Sequence, residues 1–354
     1  MYKLDIDTPA LLLDVDLLQK NLDRMAAWAA EAGVGVRPHF KVHRTPEISK
    51  LQLEAGAVGV TVAKVSDAEV AVEHGLGEVL IANEICGKQK IERLVQLCRR
   101  QPVMSYVDCH DALDDLEAAA EAHRVVLDLL PDVDVGMNRC GAPAEEAVEL
   151  AVRIHESPHL SLRGIGGYEG HLGAQEPGEG KTAAITHDLH PLRVVVERLQ
   201  EAGIPVPIVT AASSGTFRET AGQGWVTEVQ PGTYALGDLL YNKGGCGSDY
   251  AMTVLATVMS RAGGRVITDA GMKALHPRFG GHIVKDYPQL ALRGLAAEHG
   301  IWDAEDTCSL RVGDKVEILP DYADGTINLH LCWELTQAGS AVGRWDIVGH
   351  GASK

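Results

Sequence analysis

Between residue 34 and about residue 238, one pattern of apolar and polar positions repeats along the chain. Short runs rich in Val, Ile and Leu alternate with longer amphipathic segments that suit helices, such as Asp67–His74, Lys88–Arg100 and His187–Ala202. The predicted strands are residues 34–39, 58–63, 78–83, 103–108, 125–135, 162–168, 207–212 and 228–235. Eight such units predict an α/β fold with a closed parallel (β/α)8 barrel of the TIM type. An open doubly wound sheet is the main alternative, although no GxGxxG follows an early strand.

The pattern changes after about residue 245, where helix-length amphipathic segments become rare. Short β-rich segments separated by Gly, Asp and Pro follow at residues 251–259, 264–268, 314–319 and 343–348. This pattern of short β-rich segments predicts a smaller C-terminal all-β domain. We therefore assign residues 8–244 to the barrel and 245–354 to the β domain, whose sheet residues 1–7 could join.

Composition and charge narrow the class of function. The 354 residues suit a barrel of ~250 residues with a smaller partner domain. A net charge of −17 argues against a nucleic-acid partner or an anionic membrane surface. Seven cysteines without a CxxC pair indicate reduced thiols. Because neither a signal peptide nor a membrane-length apolar run is found, the sequence predicts a soluble cytoplasmic protein.

The end of the first predicted strand carries a concentration of basic residues. The segment RPHFKVHR at 37–44 contains His39, Lys41 and His43 between two arginines. Barrel active sites lie at the C-terminal ends of the strands, so this segment predicts an anion-binding, proton-handling site. Neighbouring cations or burial would lower the pKa of a lysine that attacks a carbonyl group. A solvated loop with incidental charges is the alternative.

Two loops rich in glycine and hydroxyl groups belong to the last two predicted strands. They are Ser-Ser-Gly-Thr at 213–216 and Gly-Thr-Tyr at 232–234. Backbone N–H groups in such turns bind phosphate, and the loops after strands seven and eight are the usual phosphate site of this barrel. Together with the basic segment they predict a phosphorylated cofactor, whereas either loop alone would suit a plain turn.

Two further loops contribute to the same mouth of the predicted barrel. Arg139 lies between Gly136 and Gly141, where its guanidinium can bind a phenolate or carboxylate. Tyr168 and His171 follow the sixth predicted strand and add a ring and an imidazole. A surface arginine in a glycine turn and an interior structural histidine are the alternatives.

Taken together, these motifs resemble one family of enzymes. The segments are TPALLLD (8–14), RPHFKVHRTPE (37–47), DVGMNRCG (134–141), GIGGYEGH (164–171), SSGTF (213–217) and TEVQPGTYALGD (227–238). They resemble the D-threonine aldolase and D-serine dehydratase group of pyridoxal-phosphate enzymes, which have an alanine-racemase-like barrel. The resemblance covers nearly the whole chain, in the expected order.

The resemblance implies that Lys41 holds pyridoxal 5'-phosphate as a Schiff base, with His39 beside it. Arg139 would contact the cofactor ring oxygen or active-site anions, and Tyr168 would lie near the ring. The residues expected around the phosphate are Ser214, Gly215, Thr216, Gly232, Thr233 and Tyr234. Two chains of this family usually complete each other's sites, so a homodimer is implied.

The chain departs from the family in its metal segment. The family usually binds a divalent metal (Mn, Mg or Zn) through Pro-x-His-x-(Asp/Cys)-x-Thr, but residues 320–326 are PDYADGT. Asp324 is retained as a candidate ligand, whereas Tyr322 replaces the histidine, and a neutral phenol is a poor metal ligand. Either the metal is lost, or Asp324 binds it with other partners, or Tyr322 acts as acid or base instead.

The main hypothesis is a pyridoxal-phosphate-dependent lyase that cleaves a β-hydroxy-D-amino acid into glycine, or a related amino acid, and an aldehyde. His43, His171 and Tyr322 are the candidates for the base that deprotonates the β-hydroxyl group. The alternatives are a dehydratase for D-serine or a 3-hydroxy-D-amino acid, an amino acid racemase, and a non-catalytic pyridoxal-phosphate carrier. The long C-terminal part argues against the carrier.

Overall fold

The computed structural model describes residues 2–305 and 307–354. These residues divide into two compact bodies. The barrel body comprises Met25–Gly232 and Ala352–Lys354; the strand body comprises the chain up to Arg24 and Thr233–Gly351. The limits 8–244 and 245–354 expected from the sequence stay a prediction. None of the described helices is both long enough and apolar enough to cross a membrane.

Strands and helices alternate through the barrel body, and strands dominate the strand body. In chain order the strands are β1 (Ala10–Asp14), β2 (Gly35–Val36), β3 (Val60–Val62), β4 (Val79–Glu84), β5 (Val103–Val107), β6 (Leu127–Val133), β7 (Leu160–Leu162), β8 (Gly164–Gly167), β9 (Ile208–Ala211), β10 (Glu228–Val229), β11 (Met252–Ala262), β12 (Arg265–Thr268), β13 (Ile283–Val284), β14 (Ala291–Leu295), β15 (Gly300–Asp303), β16 (Lys315–Leu319), β17 (Cys332–Gln337) and β18 (Ser340–Asp346). The α-helices are α1 (Val15–Ala32), α2 (Pro46–Glu54), α3 (Val65–Glu73), α4 (Lys88–Cys98), α5 (His110–His123), α6 (Ala144–Glu156), α7 (Glu179–Asp188), α8 (His190–Glu201), α9 (Phe217–Ala221), α10 (Leu239–Lys243) and α11 (Ala323–Ile327). Short 3-10 helices lie at Lys3–Asp5, Phe40–Val42, Gly170–Leu172 and Thr233–Ala235.

The barrel body confirms the predicted TIM-like sheet. Its parallel strands follow the order β2-β10-β9-β8-β6-β5-β4-β3, with the short β7 paired to β6. A parallel bridge between His39 and Thr61 joins the two ends of this order, and the Thr61 N–H donates to Pro38 O at 2.8 Å. Each of the eight predicted strand segments overlaps a strand of this ring, and β4 extends one residue beyond its predicted segment.

The strand expected at 228–235 is shorter than predicted. β10 ends at Val229, and Thr233–Ala235 forms a 3-10 helix instead. Pro231 interrupts this segment, and proline has no N–H to donate to a strand ladder. The turn that results keeps Gly232 at the carboxyl end of β10.

A buried ion pair links β2 to β10. The Arg37 side chain is 1% exposed, and its Nε and Nη2 donate to the two carboxylate oxygens of Glu228 at 2.8 and 2.9 Å. Such a two-pronged contact fixes both position and orientation. Arg37 therefore belongs to the wall of the barrel, although the sequence groups it with the basic residues of the candidate site.

Both faces of the barrel strands are buried, which explains their nearly continuous apolar runs. In β4, Val79 and Ile81 belong to the large core that also contains the apolar residues of the surrounding helices. Leu80, between them, belongs instead to a separate cluster with Met104 and Leu130. Successive residues of one strand thus face the helix layer and the barrel interior in turn.

The strand body confirms the predicted C-terminal domain of mostly strand structure. Its main sheet has the order β14-β15-β12-β11-β1-β17-β18, and β16 pairs with β11 and β13. β1 lies within this sheet, antiparallel to β11 and parallel to β17. Leu12 of β1 packs with Ile6 and Leu255 in a local core. The N-terminal segment is therefore an integral part of the strand body.

Candidate active site

The Lys41 side chain lies at the carboxyl end of the first barrel strand. Hydrogen bonding continues beyond β2, because the His39 N–H donates to Pro231 O at 3.1 Å. The 3-10 helix Phe40–Val42 follows, with Phe40 and Val42 buried and Lys41 half-buried between them. The two apolar neighbours anchor this turn, so the lysine is held at the mouth of the barrel.

Lys41 lines a cavity of about 290 Å³ in the barrel body. This volume is near the lower end for small-molecule sites, which are usually about 300–1,000 Å³. The wall includes His39, Lys41, Asp132, Arg139, Tyr168 and Gln230. No hydrogen bond or ion pair ties the Lys41 amine to another described residue, so the amine is available to a bound molecule.

The Tyr168 ring lies close to two basic side chains of this wall. Lys41 Nζ is 6.0 Å and Arg139 Cζ is 5.3 Å from the ring centroid, both within the range of cation–π attraction. The structure thus brings together the three residues that the sequence assigned to the lysine, the ring contact and the anion contact. A flat, anionic molecule would meet an aromatic face and two positive charges here.

The predicted phosphate loop is a buried turn after β9. Within it, the Ser213 N–H donates to Thr216 Oγ1 at 2.9 Å, and Ser214 Oγ accepts from the Gly232 N–H at 3.1 Å. Ser214, Gly215 and Thr216 are all buried. The structure therefore joins the two glycine-rich loops that the sequence predicted, at the ends of neighbouring strands. Thr233 and Tyr234 begin the strand body.

Gly215 is required at its position by close packing. A Cβ atom there would lie 1.9 Å from Gly173 O, far inside van der Waals contact. The Gly215 carbonyl also accepts a hydrogen bond from the buried ammonium of Lys181, in α7. Glu169 supports the loop from the other side, since its Oε2 accepts from the Ala212 N–H at 3.2 Å. The sequence did not indicate either supporting residue.

These residues fit a planar, phosphorylated aldehyde cofactor. The cavity offers a lysine amine, an aromatic ring and an arginine. The buried hydroxyl-rich loop at 213–216 directly follows Ala212, which also lines the cavity. His39 lines the cavity, and its buried Nδ1 has no hydrogen-bond partner among the described residues. The donor set therefore suits pyridoxal phosphate.

His39 and His43 flank Lys41 but occupy different surroundings. Burial, and then the charge of Lys41, hold the pKa of His39 well below its usual value, so this cavity residue is neutral. His43 is fully buried, and burial lowers its pKa to about 4. Its Nδ1 accepts from the Thr45 N–H at 3.2 Å, and it is not among the residues that line the cavity. A catalytic role for His43 stays a prediction.

The buried His43 predicts a loss of stability in acid. Between pH 6.5 and about 4 the unfolded chain binds a proton here that the folded chain does not, so stability falls as the pH falls. At ~1.4 kcal/mol per pKa unit, the loss is about 3 kcal/mol. We expect His43→Gln to reduce the difference in unfolding free energy between pH 7 and pH 4 by this amount in urea titrations. The exposed His190→Gln should leave that difference unchanged, and an unchanged difference in His43→Gln would contradict the prediction.

His171 lies in the 3-10 helix Gly170–Leu172, close to Tyr168 along the chain. It is exposed, and its Nε2 is 2.7 Å from Asp188 Oδ2, at the end of α7. It is not among the residues that line the cavity. The carboxylate orients the imidazole at the surface of the barrel body, and its role as a base stays a prediction.

Tyr322 and Asp324 belong to the strand body. The Tyr322 ring packs edge-on against His276 and Phe279, with ring centroids 5.7 Å apart in both pairs. The Arg278 guanidinium lies 5.4 Å from the same ring. Asp324 lies in α11, directly after Tyr322, and is half-buried. Asp324 is not part of any group of three potential ligands found among the described residues, so its metal role stays a prediction.

The sequence missed an acidic wall of the cavity. Asp132 lies within β6, is 5% exposed and lines the cavity. Burial, followed by the charge of Glu84, raises its pKa well above the usual range. The available signal was the second aspartate of β6, whose sequence is LDLLPDV, at a position that alternation directs away from the helices. Such a residue is costly to bury unless it has a function.

A lysine at the mouth of a (β/α)8 barrel, two strands away from a buried hydroxyl-rich loop, is typical of barrel enzymes that use pyridoxal phosphate. Comparison with known families agrees with this class. The model of the alanine racemase N-terminal domain matches residues 13–239. A model of the D-serine dehydratase-like domain matches residues 251–333.

Individual relatives match over almost the full length of the chain. D-threonine aldolase of Arthrobacter sp. is 32% identical, and the match covers 99% of this chain and 94% of that one. 3-Hydroxy-D-aspartate aldolase of Paracoccus denitrificans is 30% identical with the same coverage. The crystal structure of D-threonine aldolase from Filomicrobium marinum is 34% identical, covers 99% and 97% of the two chains, and superposes with a TM-score of 0.96.

The chain therefore belongs to the alanine-racemase-like family that includes the D-threonine aldolases. Enzymes of this family depend on pyridoxal phosphate and include aldolases and dehydratases. The family, the lyase class and the organic cofactor expected from the sequence are thus confirmed.

Proposed function

We propose that the protein cleaves the Cα–Cβ bond of a β-hydroxy-D-amino acid, releasing an aldehyde and glycine or a related amino acid. The observation that carries the proposal is the Lys41 amine, which faces a cavity shared with Tyr168 and Arg139. Aldolases among the relatives support cleavage as the reaction. The aspartate derivative handled by one of them supports a small polar substrate.

Pyridoxal phosphate, when bound, supplies an electron sink for the pair released at the substrate Cα. Lys41 would provide the amine that holds the cofactor's aldehyde carbon. The Ser213–Thr216 loop and the neighbouring turn at Gly232 would hold the phosphate group. Arg139 stays positively charged and would orient a carboxylate or the ring oxygen. Tyr168 would limit the plane in which the bound ring lies.

The substrate hydroxyl must lose its proton as the Cα–Cβ bond breaks. His39 is a candidate for this step, because it lines the cavity and is neutral. A neutral imidazole can accept the proton directly or through one water molecule. His43, His171 and Tyr322 stay proposals for the same role.

Product analysis tests the proposed reaction. We expect cofactor-loaded enzyme to convert D-threonine to glycine and acetaldehyde, and D-3-hydroxyaspartate to glycine and glyoxylate. Formation of 2-oxo acid and ammonia would instead assign a dehydratase, which dehydratases among the relatives keep as the second candidate. Recovery of the substrate's Cα epimer would assign a racemase, and no turnover of any D-amino acid would favour a carrier. The L-enantiomers serve as matched controls and should not react.

We also infer a homodimer in the cytoplasm. Family members usually join in pairs that complete each other's sites, and the Cys residues are all free thiols, which suits a reducing compartment. Light scattering on the purified holoenzyme should give twice the mass of the chain. A monomeric, fully active holoenzyme would contradict the dimer.

A further inference from the structure

Three potential metal ligands from different segments meet at the edge of the cavity. Glu84 ends β4, Asp108 directly follows β5, and Cys140 lies in the loop after β6. One carboxylate oxygen from each acid and the Cys140 Sγ all lie within 4.8 Å of one another. Because parallel strands end at the same edge of the barrel, residues far apart in the sequence converge here.

We propose that Glu84, Asp108 and Cys140 bind a divalent cation of the zinc type. Two carboxylates and one thiolate are ligands that Zn²⁺ accepts at about 2.0–2.3 Å, usually in tetrahedral geometry. Ligand atoms around such an ion are separated by roughly 3.3–3.8 Å, so side-chain rotations alone could bring this group into place. Mg²⁺ and Ca²⁺ are disfavoured, since both prefer oxygen ligands only.

Unsatisfied polar atoms beside the group point to a ligand. Apart from the hydrogen bond that the Asp132 and Glu84 carboxyl groups make with each other, Glu84 Oε1 and Asp132 Oδ1 are buried without a partner among the described residues. Asp132 is only 5% exposed, so its carboxyl group has almost no access to water. Buried polar atoms are rarely left without a partner, and each exception requires an explanation. A cation at this position would supply the missing interaction.

None of these acids has an ion-pair partner among the described residues. Among the described residues, none of Glu84, Asp108 and Asp132 forms an ion pair within 4.0 Å, and the neighbouring Arg139 guanidinium lies over the Tyr168 ring instead. The Gly141 N–H donates to Asp108 Oδ2 at 3.2 Å, which holds the Cys140 loop against this acid. The loop geometry therefore keeps the thiol next to the carboxylates.

The three ligands lie where a bound ion could contact a molecule in the cavity. Cys140 and Asp132 both line the cavity that contains Lys41. Three protein ligands leave a tetrahedral ion one open position, as in catalytic zinc sites. An oxygen atom of a bound small molecule could occupy it. This site is separate from Asp324, which lies in the strand body, and it does not depend on which reaction the enzyme catalyses.

Metal content of the cofactor-loaded enzyme tests the proposal. The protein is loaded with Zn²⁺ or Co²⁺, dialysed against metal-free buffer, and measured by elemental analysis. We expect one ion per chain and, with Co²⁺, a thiolate charge-transfer band in the near ultraviolet. Cys140→Ser and Asp108→Asn should each weaken binding more than tenfold, because loss of even an outer ligand contact costs about 10–100-fold in affinity.

Two control variants test whether the ion binds at this site and not elsewhere. Cys86→Ser removes an exposed thiol near the end of the same strand as Glu84, and Asp324→Asn removes the acid of the family's metal segment. Both should retain the ion and the Co²⁺ band. Absence of bound metal in the wild-type enzyme, or full binding in Cys140→Ser and Asp108→Asn, would overturn the proposal. So would loss of the ion in Asp324→Asn alone. Circular dichroism and cofactor content show that each variant is folded.

Discussion

We expect the Lys41→Ala variant to lose at least about 10³-fold in activity toward any substrate of the wild-type enzyme, because the covalent nucleophile is removed. The Lys41 amine faces the cavity beside Tyr168 and forms no hydrogen bond or ion pair with another described residue. Sodium borohydride should fix the cofactor to the wild-type protein but not to the variant. Mass spectrometry of the reduced proteins measures this directly.

Lys50→Ala is the matched control for this variant. Lys50 lies in α2, is exposed and should be replaced without change in activity or labelling. The critical alternative is Lys64, a second lysine that lines the same cavity. If borohydride labelling of the wild-type protein is found on Lys64, or persists in Lys41→Ala, the assignment of the cofactor lysine is wrong.

The Gly215→Ala variant should bind the cofactor at least about tenfold more weakly and be less stable by about 1–3 kcal/mol, the usual range for overpacking. The reason is steric, since the new Cβ would lie 1.9 Å from Gly173 O and must displace backbone. The displacement would also disturb the contact between Lys181 and the Gly215 carbonyl. Equilibrium dialysis of the cofactor and urea unfolding measure the two effects.

Gly180→Ala provides the comparison, because a Cβ at this helical position in α7 has no heavy atom within 4 Å. This change should leave cofactor affinity unchanged and raise stability by up to about 1 kcal/mol, since alanine favours helices over glycine. Equal cofactor affinity in Gly215→Ala and the wild type would show that the loop does not hold the phosphate.

The barrel was predictable because its strands are buried on both faces. Runs such as Val79–Ile81 are apolar at every position, and the intervening helices show a clear apolar face, as Leu192, Val195, Val196 and Leu199 do in α8. The place of β1 was harder to predict. Its ALLLD sequence suits any buried strand, and only long-range pairing with β11 and β17 puts it in the strand body.

The lysine and phosphate loops could be predicted for a similar reason: each follows a strand, and parallel strands end together. The group of Glu84, Asp108 and Cys140 could not be predicted. Glu84 ends one strand, Asp108 follows another and Cys140 lies in a loop after a third, and their spacing along the chain matches no metal-binding motif. For Arg37 the sequence-based expectation was wrong in the opposite direction. Arg37 is close to the site residues along the chain, but its guanidinium pairs with Glu228 inside the barrel wall.

The Arg37–Glu228 pair has a thermodynamic consequence for the cofactor. It joins β2 and β10, which are the first and last barrel strands in chain order. Lys41 follows β2 and Gly232 follows β10. Opening the ring there would separate the group that holds the aldehyde end from the group that holds the phosphate end. A cofactor bound at both ends therefore favours the closed ring, and by linkage whatever favours closure raises cofactor affinity by the same free energy.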